Sequence, residues 1–152
     1  MSRFALLACA ALLVACGGNE TAATDSSAAA AMAPAAVSIA DFAGTWSVRA
    51  LPETGDSTLA TYDLMATADT TSWMAHFPNG QTTPVRILSV AGDSVVTQMG
   101  PYSSLLRQGV TVTTTATTRL QDGRMVGTFV ARYNVTTADS VLRGRVEGTK
   151  KP

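Results

Sequence analysis

From Gly44 onward the chain alternates apolar and polar residues with a period of two, and turn signals cut the pattern into segments of about a dozen residues or fewer. That period places successive side chains on opposite faces of a strand, so a half-buried sheet rather than a set of helices must absorb it. Eight segments carry the pattern: "GTWSVRAL" from Gly44, "STLATYDLMATA" from Ser57, "TSWMAHF" from Thr71, "TPVRILSVA" from Thr83, "SVVTQMG" from Ser94, "GVTVTTTATTRL" from Gly109, "RMVGTFVARYN" from Arg124 and "DSVLRGRVEGT" from Asp139. The connections are short, as hairpins require. Pro78-Asn79-Gly80 and Gln121-Asp122-Gly123 are the strongest turn signals, because Asn or Asp before glycine supplies positive φ at little cost.

Eight sequential strands with short links predict an all-β, antiparallel meander. A flat sheet of that size would leave two open edges and an uncovered apolar face; closure into an up-and-down barrel removes both. Little helix is on offer to cover a face instead, beyond a turn at Ser38 to Phe42 and another at Ser103 to Arg107. Eight strands enclose an interior wide enough for side chains or for one small ligand. An open sandwich or half-barrel pairing edge to edge with a second copy is a third, weaker arrangement.

"DFAGTWSV", Asp41 to Val48, resembles the Gly-x-Trp entry to the first strand of the lipocalins and related calycin barrels, and is similar to the start of the avidin barrel. The resemblance implies a lipocalin-like barrel in which a last-strand arginine, here Arg143 or Arg145, packs over Trp46 at the closed end. Such a cation–π contact contributes about 0.5–2 kcal/mol. Unlike the lipocalins, the chain is short and lacks their long C-terminal helix and disulfide. Avidin's biotin-binding set does not align strand by strand, so biotin is not carried over.

The first quarter of the chain is built differently. Arg3 precedes an apolar run, Phe4 to Ala15, that is shorter than the ~20 residues a spanning helix needs, as in a secretory signal. Its end, Leu13-Val14-Ala15-Cys16, resembles the bacterial lipoprotein signal. That resemblance implies a signal peptide over 1–15, acylation of Cys16 and loss of Cys9 with the peptide; the alternative is an ordinary cleavage site that contains a cysteine. Each buried methylene of the anchor would contribute about 0.8 kcal/mol to membrane attachment. Gly17 after the cysteine favours the outer membrane, facing the periplasm. Residues 16–37, rich in Ala, Ser, Thr and Gly, read as a lipidated N-terminus and a low-complexity tether, which leaves 38–152 as the folding unit. With Cys16 acylated, that unit holds no thiol, and core packing alone must stabilise it.

Alternation assigns an interior face to Trp46, Val48 and Ala50; to Tyr62, Leu64 and Ala66; to Trp73, Ala75 and Phe77; to Val110, Val112, Ala116 and Leu120; and to Met125, Phe129 and Tyr133. Of these, Trp46, Val48, Tyr62, Leu64, Trp73, Phe77, Phe129 and Tyr133 are the candidate wall of a site for a hydrophobic small molecule. Residue by residue core is the stronger explanation, since such side chains are more often core than ligand contact, and a barrel this small can simply be full. The threonines at Thr111, Thr113, Thr114, Thr115, Thr117 and Thr118 read as the wet face of a half-exposed strand. "GPYSSLLR", Gly100 to Arg107, is the least regular stretch, and its Tyr102, Leu105 and Leu106 are candidates for a lid or a partner contact.

Catalysis has few candidates. His76, the single histidine, alternates away from Trp73 and Phe77 toward solvent, and no nucleophile motif, phosphate loop or paired carboxylates appear. Asp56, Asp93, Asp122 and Asp139 fall at strand ends, where turn chemistry explains them. No metal or cofactor set is legible, and a formal charge of zero gives no field for nucleic acid. The expectation is a lipid-anchored, non-catalytic envelope protein that binds or carries a hydrophobic small molecule; the alternative is a structural or assembly lipoprotein whose filled barrel contacts another envelope protein.

Overall fold

The alternation is realised as eight strands in a computed structural model that describes residues 36–152: β1 (Gly44–Pro52), β2 (Ala60–Ala66), β3 (Trp73–His76), β4 (Thr82–Ala91), β5 (Ser94–Ser103), β6 (Thr111–Gln121), β7 (Arg124–Tyr133) and β8 (Val141–Lys150). All neighbours pair antiparallel in chain order, and β8 pairs β1, so the sheet is a closed up-and-down barrel. The half-barrel arrangement is thereby corrected: the two edges it would have left open join each other from Trp46↔Lys150 to Pro52↔Gly144. The signal peptide, Cys16 and the tether up to residue 35 lie outside the described residues.

The turns follow the sequence chemistry. Asp122 and Gly123 both take positive φ between the paired Gln121 and Arg124, as a type I′ hairpin demands. Gly92 alone takes positive φ between Ala91 and Ser94, the pattern of type II′. Asp69 makes the β2–β3 turn by accepting from the backbone N–H groups of Thr71 (2.8 Å) and Ser72 (3.2 Å). This Asx turn ends β2 at Ala66 and delays β3 to Trp73, which trims both expected segments. β5 runs longer than expected: it continues through Pro101 to Ser103 across a register shift between Met99 and Tyr102. A bulge is where a strand tolerates proline, since the ladder bond is already interrupted.

Inside the barrel, large residues face small ones. Along the β7–β8 seam Met125 pairs with Gly148, Gly127 with Val146, and Phe129 with Gly144. A Cβ on Gly144 would lie 2.5 Å from the Phe129 ring, so the glycine is the space the ring occupies. The inward phase of β6 runs Val112, Thr114, Ala116, Thr118. Thr114 and Thr118 are therefore buried, a correction to the wet-face assignment, while Thr111 and Thr117 are exposed.

One end is closed. A 3₁₀ turn, Ile39–Phe42, capped reciprocally by Ser38 and Asp41, inserts Phe42 into the barrel base with no exposed surface. Its ring meets Trp73 at 5.9 Å, and its carbonyl accepts from Trp46 Nε1 at 2.7 Å. Trp73 Nε1 donates to Thr67 O at 2.9 Å, so both buried indoles have partners. The cation over Trp46 is Lys150, 5.5 Å from the ring, and not Arg143 or Arg145. The reason is register: Trp46 pairs with Lys150, whereas Arg145 pairs with Leu51 near the opposite end of β1. There Arg145 donates to Gly55 O at 2.7 Å and pairs with Asp56 at 3.0 Å, pinning the β1–β2 loop. Arg143 is exposed, opposite Val130.

Candidate functional site

The other end is covered only by loops: 53–59, 77–81, 104–110 and 134–140. Beneath them lies a mostly apolar cavity of about 60 Å³ walled by Tyr62, Phe77, Tyr102, Phe129 and Tyr133, with Leu105 and Leu106 above. A deeper chamber of about 20 Å³ extends toward the closed end, reaching Leu64 and Trp73. Tyr62, Met99, Thr114, Ala116 and Val146 border both and mark their junction. One water needs about 10–15 Å³ on this measure, so the upper chamber is several waters in size, and far smaller than a drug-sized pocket of ~300–1,000 Å³.

The void has a cause in the register. At the mouth two small pairs come together, Ala50 with Ala60 and Thr114 with Ala131. All four line the cavity. Where small faces small, the jigsaw leaves space.

Aromatic rings stiffen one wall. Tyr62 and Phe77 meet at 5.5 Å with their planes tilted by 47°, and Phe77 stacks on Tyr102 at 5.2 Å. The Tyr102 hydroxyl and Thr114 Oγ1 are hydrogen-bonded at 3.0 Å. Among the described residues Tyr102 alone of the three tyrosines has its hydroxyl engaged by a side chain. Burial drives the Tyr62 phenol pKa well above its ordinary value, and the neighbouring Tyr102 adds to the rise. Burial raises Tyr102 as well, against the hydrogen bond it shares with Thr114. Both are neutral donors at any physiological pH.

The loop over the mouth is internally braced. Ser104 Oγ accepts from the backbone N–H groups of Leu106 (3.1 Å) and Arg107 (3.0 Å), and Ser104 N–H donates to Val110 O at 2.9 Å. This turn presents Leu105 and Leu106, which are 37% and 46% exposed while also bordering the cavity. Arg107 then crosses to the β7–β8 loop: its guanidinium lies 4.1 Å from the Tyr133 ring centroid and pairs with Asp139 at 2.9 Å. Asp139, hydrogen-bonded by Thr137 and beside Arg107, is held below the usual carboxylate range. The two loops are thus latched across one side of the mouth.

Of the residues named from sequence, Phe77, Phe129 and Tyr133 line the upper chamber, Leu64 and Trp73 the lower, and Tyr62 both. Trp46 and Val48 border neither; they are wholly buried in the core toward the closed end. Sequence reasoning did not find Met99 and Thr114 at the site. Thr114 shares the inward phase of Val112 and Ala116, the signal that pointed to it. His76 faces Asp63 and Thr82 across the ladder, with Nε2 buried and unpartnered, so it is less open to solvent than its alternation implied. Comparison with known families, curated proteins and solved structures finds no match for this chain.

Proposed function

We propose that the protein is a lipid-anchored, non-catalytic component of the bacterial cell envelope whose small lipocalin-like barrel binds or carries a hydrophobic small molecule. The observation that supports the ligand is the mostly apolar cavity under Leu105 and Leu106, lined by aromatic rings and lying in the one barrel end that no 3₁₀ plug fills. The walls offer surface for burial and hydroxyls for orientation, the usual division of labour in a binding pocket. Acylated Cys16 and the tether would hold the barrel on the order of 25 Å from the outer membrane, on its periplasmic side. A second reading is a structural or assembly lipoprotein that acts through protein contacts. The small cavity and the exposed Met65, Leu88 and Val90 on the outside favour it.

Native mass spectrometry separates the two. The barrel fragment Met32–Pro152, whose described residues form one compact unit, is purified without detergent from a lysate that contains membranes. Carriage predicts a reproducible extra mass that is lost on denaturation. A bare protein mass, together with no uptake of small apolar probes, would rule carriage out and direct attention to the outer surface.

A further inference from the structure

We infer that the cavity selects uncharged, slender molecules that combine an apolar body with one hydrogen-bond acceptor, such as a ketone or ester carbonyl, received by the Tyr62 hydroxyl beside the Tyr102–Thr114 pair, and that it rejects carboxylates. The inference rests on the ligand-binding proposal above and names the chemistry of its ligand.

The first support is the inventory of polar groups. The side chains lining both chambers offer hydroxyls and no charge: Tyr62, Tyr102, Tyr133, Thr114 and Ser104 above, with Thr97 and Thr118 below. A carboxylate placed among them would lose its hydration without gaining a cation, which is far costlier than desolvating a carbonyl. Arg107, the cation that lies on the cavity-lining Tyr133, is committed elsewhere. It borders neither chamber, its charge is paired with Asp139, and its face lies on Tyr133. A fatty-acid carboxylate would have to break that latch to reach it.

The second support is where the hydroxyls stand. Tyr62 and Thr114 border both chambers, which puts two hydroxyl-bearing side chains at their junction. The Tyr102–Thr114 bond uses one of that pair's two hydroxyl protons, whereas no side chain of the described residues engages the Tyr62 proton. An acceptor at the junction completes it, and the apolar remainder of the ligand extends toward Leu105 and Leu106. Burial keeps these phenols protonated, so they donate and do not repel an acceptor. A free volume of about 60 Å³ above the junction and about 20 Å³ below it admits a thin chain and excludes fused rings.

The test is a methyl NMR titration of Met32–Pro152, followed at Ala116 and Ala131, with three probes of equal chain length: 2-octanone, octanoate and 1-octene. The expected order is ketone tighter than alkene, with octanoate at least about 100-fold weaker than the ketone. Tyr62→Phe should weaken 2-octanone by about fivefold, the value of one net hydrogen bond, and leave 1-octene unchanged. Thr114→Val, which keeps the shape and removes the second hydroxyl, gives an independent reading if the first variant folds poorly. Octanoate binding as tightly as the ketone, or a ketone-to-alkene ratio that neither variant changes, overturns the selectivity while leaving ligand binding intact. Shifts with none of the three probes overturn ligand binding itself, and the selectivity with it.

Discussion

Ala116 is the position at which cavity and stability are most directly linked, since it borders both chambers and faces Thr97 and Phe129 across the ladder. Ala116→Val adds two carbons to that wall in a side chain that suits a strand. Each buried carbon contributes about 0.8 kcal/mol, which sets an upper bound of about 1.6 kcal/mol for the pair. The mouth is partly open, so a gain of about 1 kcal/mol is expected, equivalent to a rise in Tm of about 4 °C for a domain of this size. The added carbons take the space of the ligand, and 2-octanone should bind about tenfold more weakly. Thermal melts by circular dichroism and the methyl titration read the two effects side by side. In a fully packed interior the same carbons would instead cost about 1–3 kcal/mol, and Tm would fall by 4 °C or more. A fall in Tm, with ketone affinity unchanged, would refute the cavity.

Other substitutions should behave differently. Gly127→Ala places a Cβ against Thr117 O and 2.8 Å from Thr118 Cα, both backbone atoms that no rotamer change can move. It should cost about 2–3 kcal/mol by urea melt; a neutral result would mean that β6 and β7 separate easily there. Phe42→Ala empties the closed end and should cost about 3–5 kcal/mol, with 2-octanone affinity per folded molecule unchanged because Phe42 borders neither chamber. Asp139→Asn should release the latch and speed ligand dissociation at neutral pH. Because the Asp139 pKa is depressed in the fold, its contribution is complete above the ordinary aspartate value of about 4 and fades as pH falls through the lower folded value. Stopped-flow dissociation should therefore differ between wild type and variant at pH 7 and converge in strong acid; a constant difference would remove Asp139 from the latch.

Much of the fold was written locally. Alternation identified all eight strands, and glycine chemistry placed the turn at Asp122-Gly123, because both signals act over a few residues. Register is a different quantity: it accumulates through seven hairpins and their bulges before β8 meets β1. Nothing local in Arg143, Arg145 or Lys150 distinguishes which cation will face Trp46. The closure register does, by pairing Trp46 with Lys150 and sending Arg145 to the β1–β2 loop. A bulge has the same effect on Tyr102, whose phase relative to Met99 is broken between the two residues, so counting by twos along β5 cannot place its ring on Phe77.

The site depends on this non-local quantity more than the core does. A core residue such as Val48 or Val95 needs only to be apolar and inward, and alternation establishes both. A cavity needs several small residues to gather on neighbouring strands, and that is a property of register. Ala50 and Ala131 look no different in the sequence from Ala75, which is fully buried. Each has one large and one small partner, Leu64 and Thr83 for Ala75, Val146 and Ala60 for Ala50, Leu142 and Thr114 for Ala131; what separates them is that the register gathers Ala50, Ala60, Thr114 and Ala131 around the mouth. A one-residue slip in any hairpin of the mouth would give each alanine a different partner and turn its inward face outward. The volume available to a ligand is therefore set by the turns and bulges that fix the register, and lengthening the tight β6–β7 hairpin at Asp122-Gly123 by one residue, at the far end of the barrel, should abolish 2-octanone binding in the methyl titration without replacing any residue that lines the cavity; unchanged binding would show that cross-strand packing and not the turn holds the register.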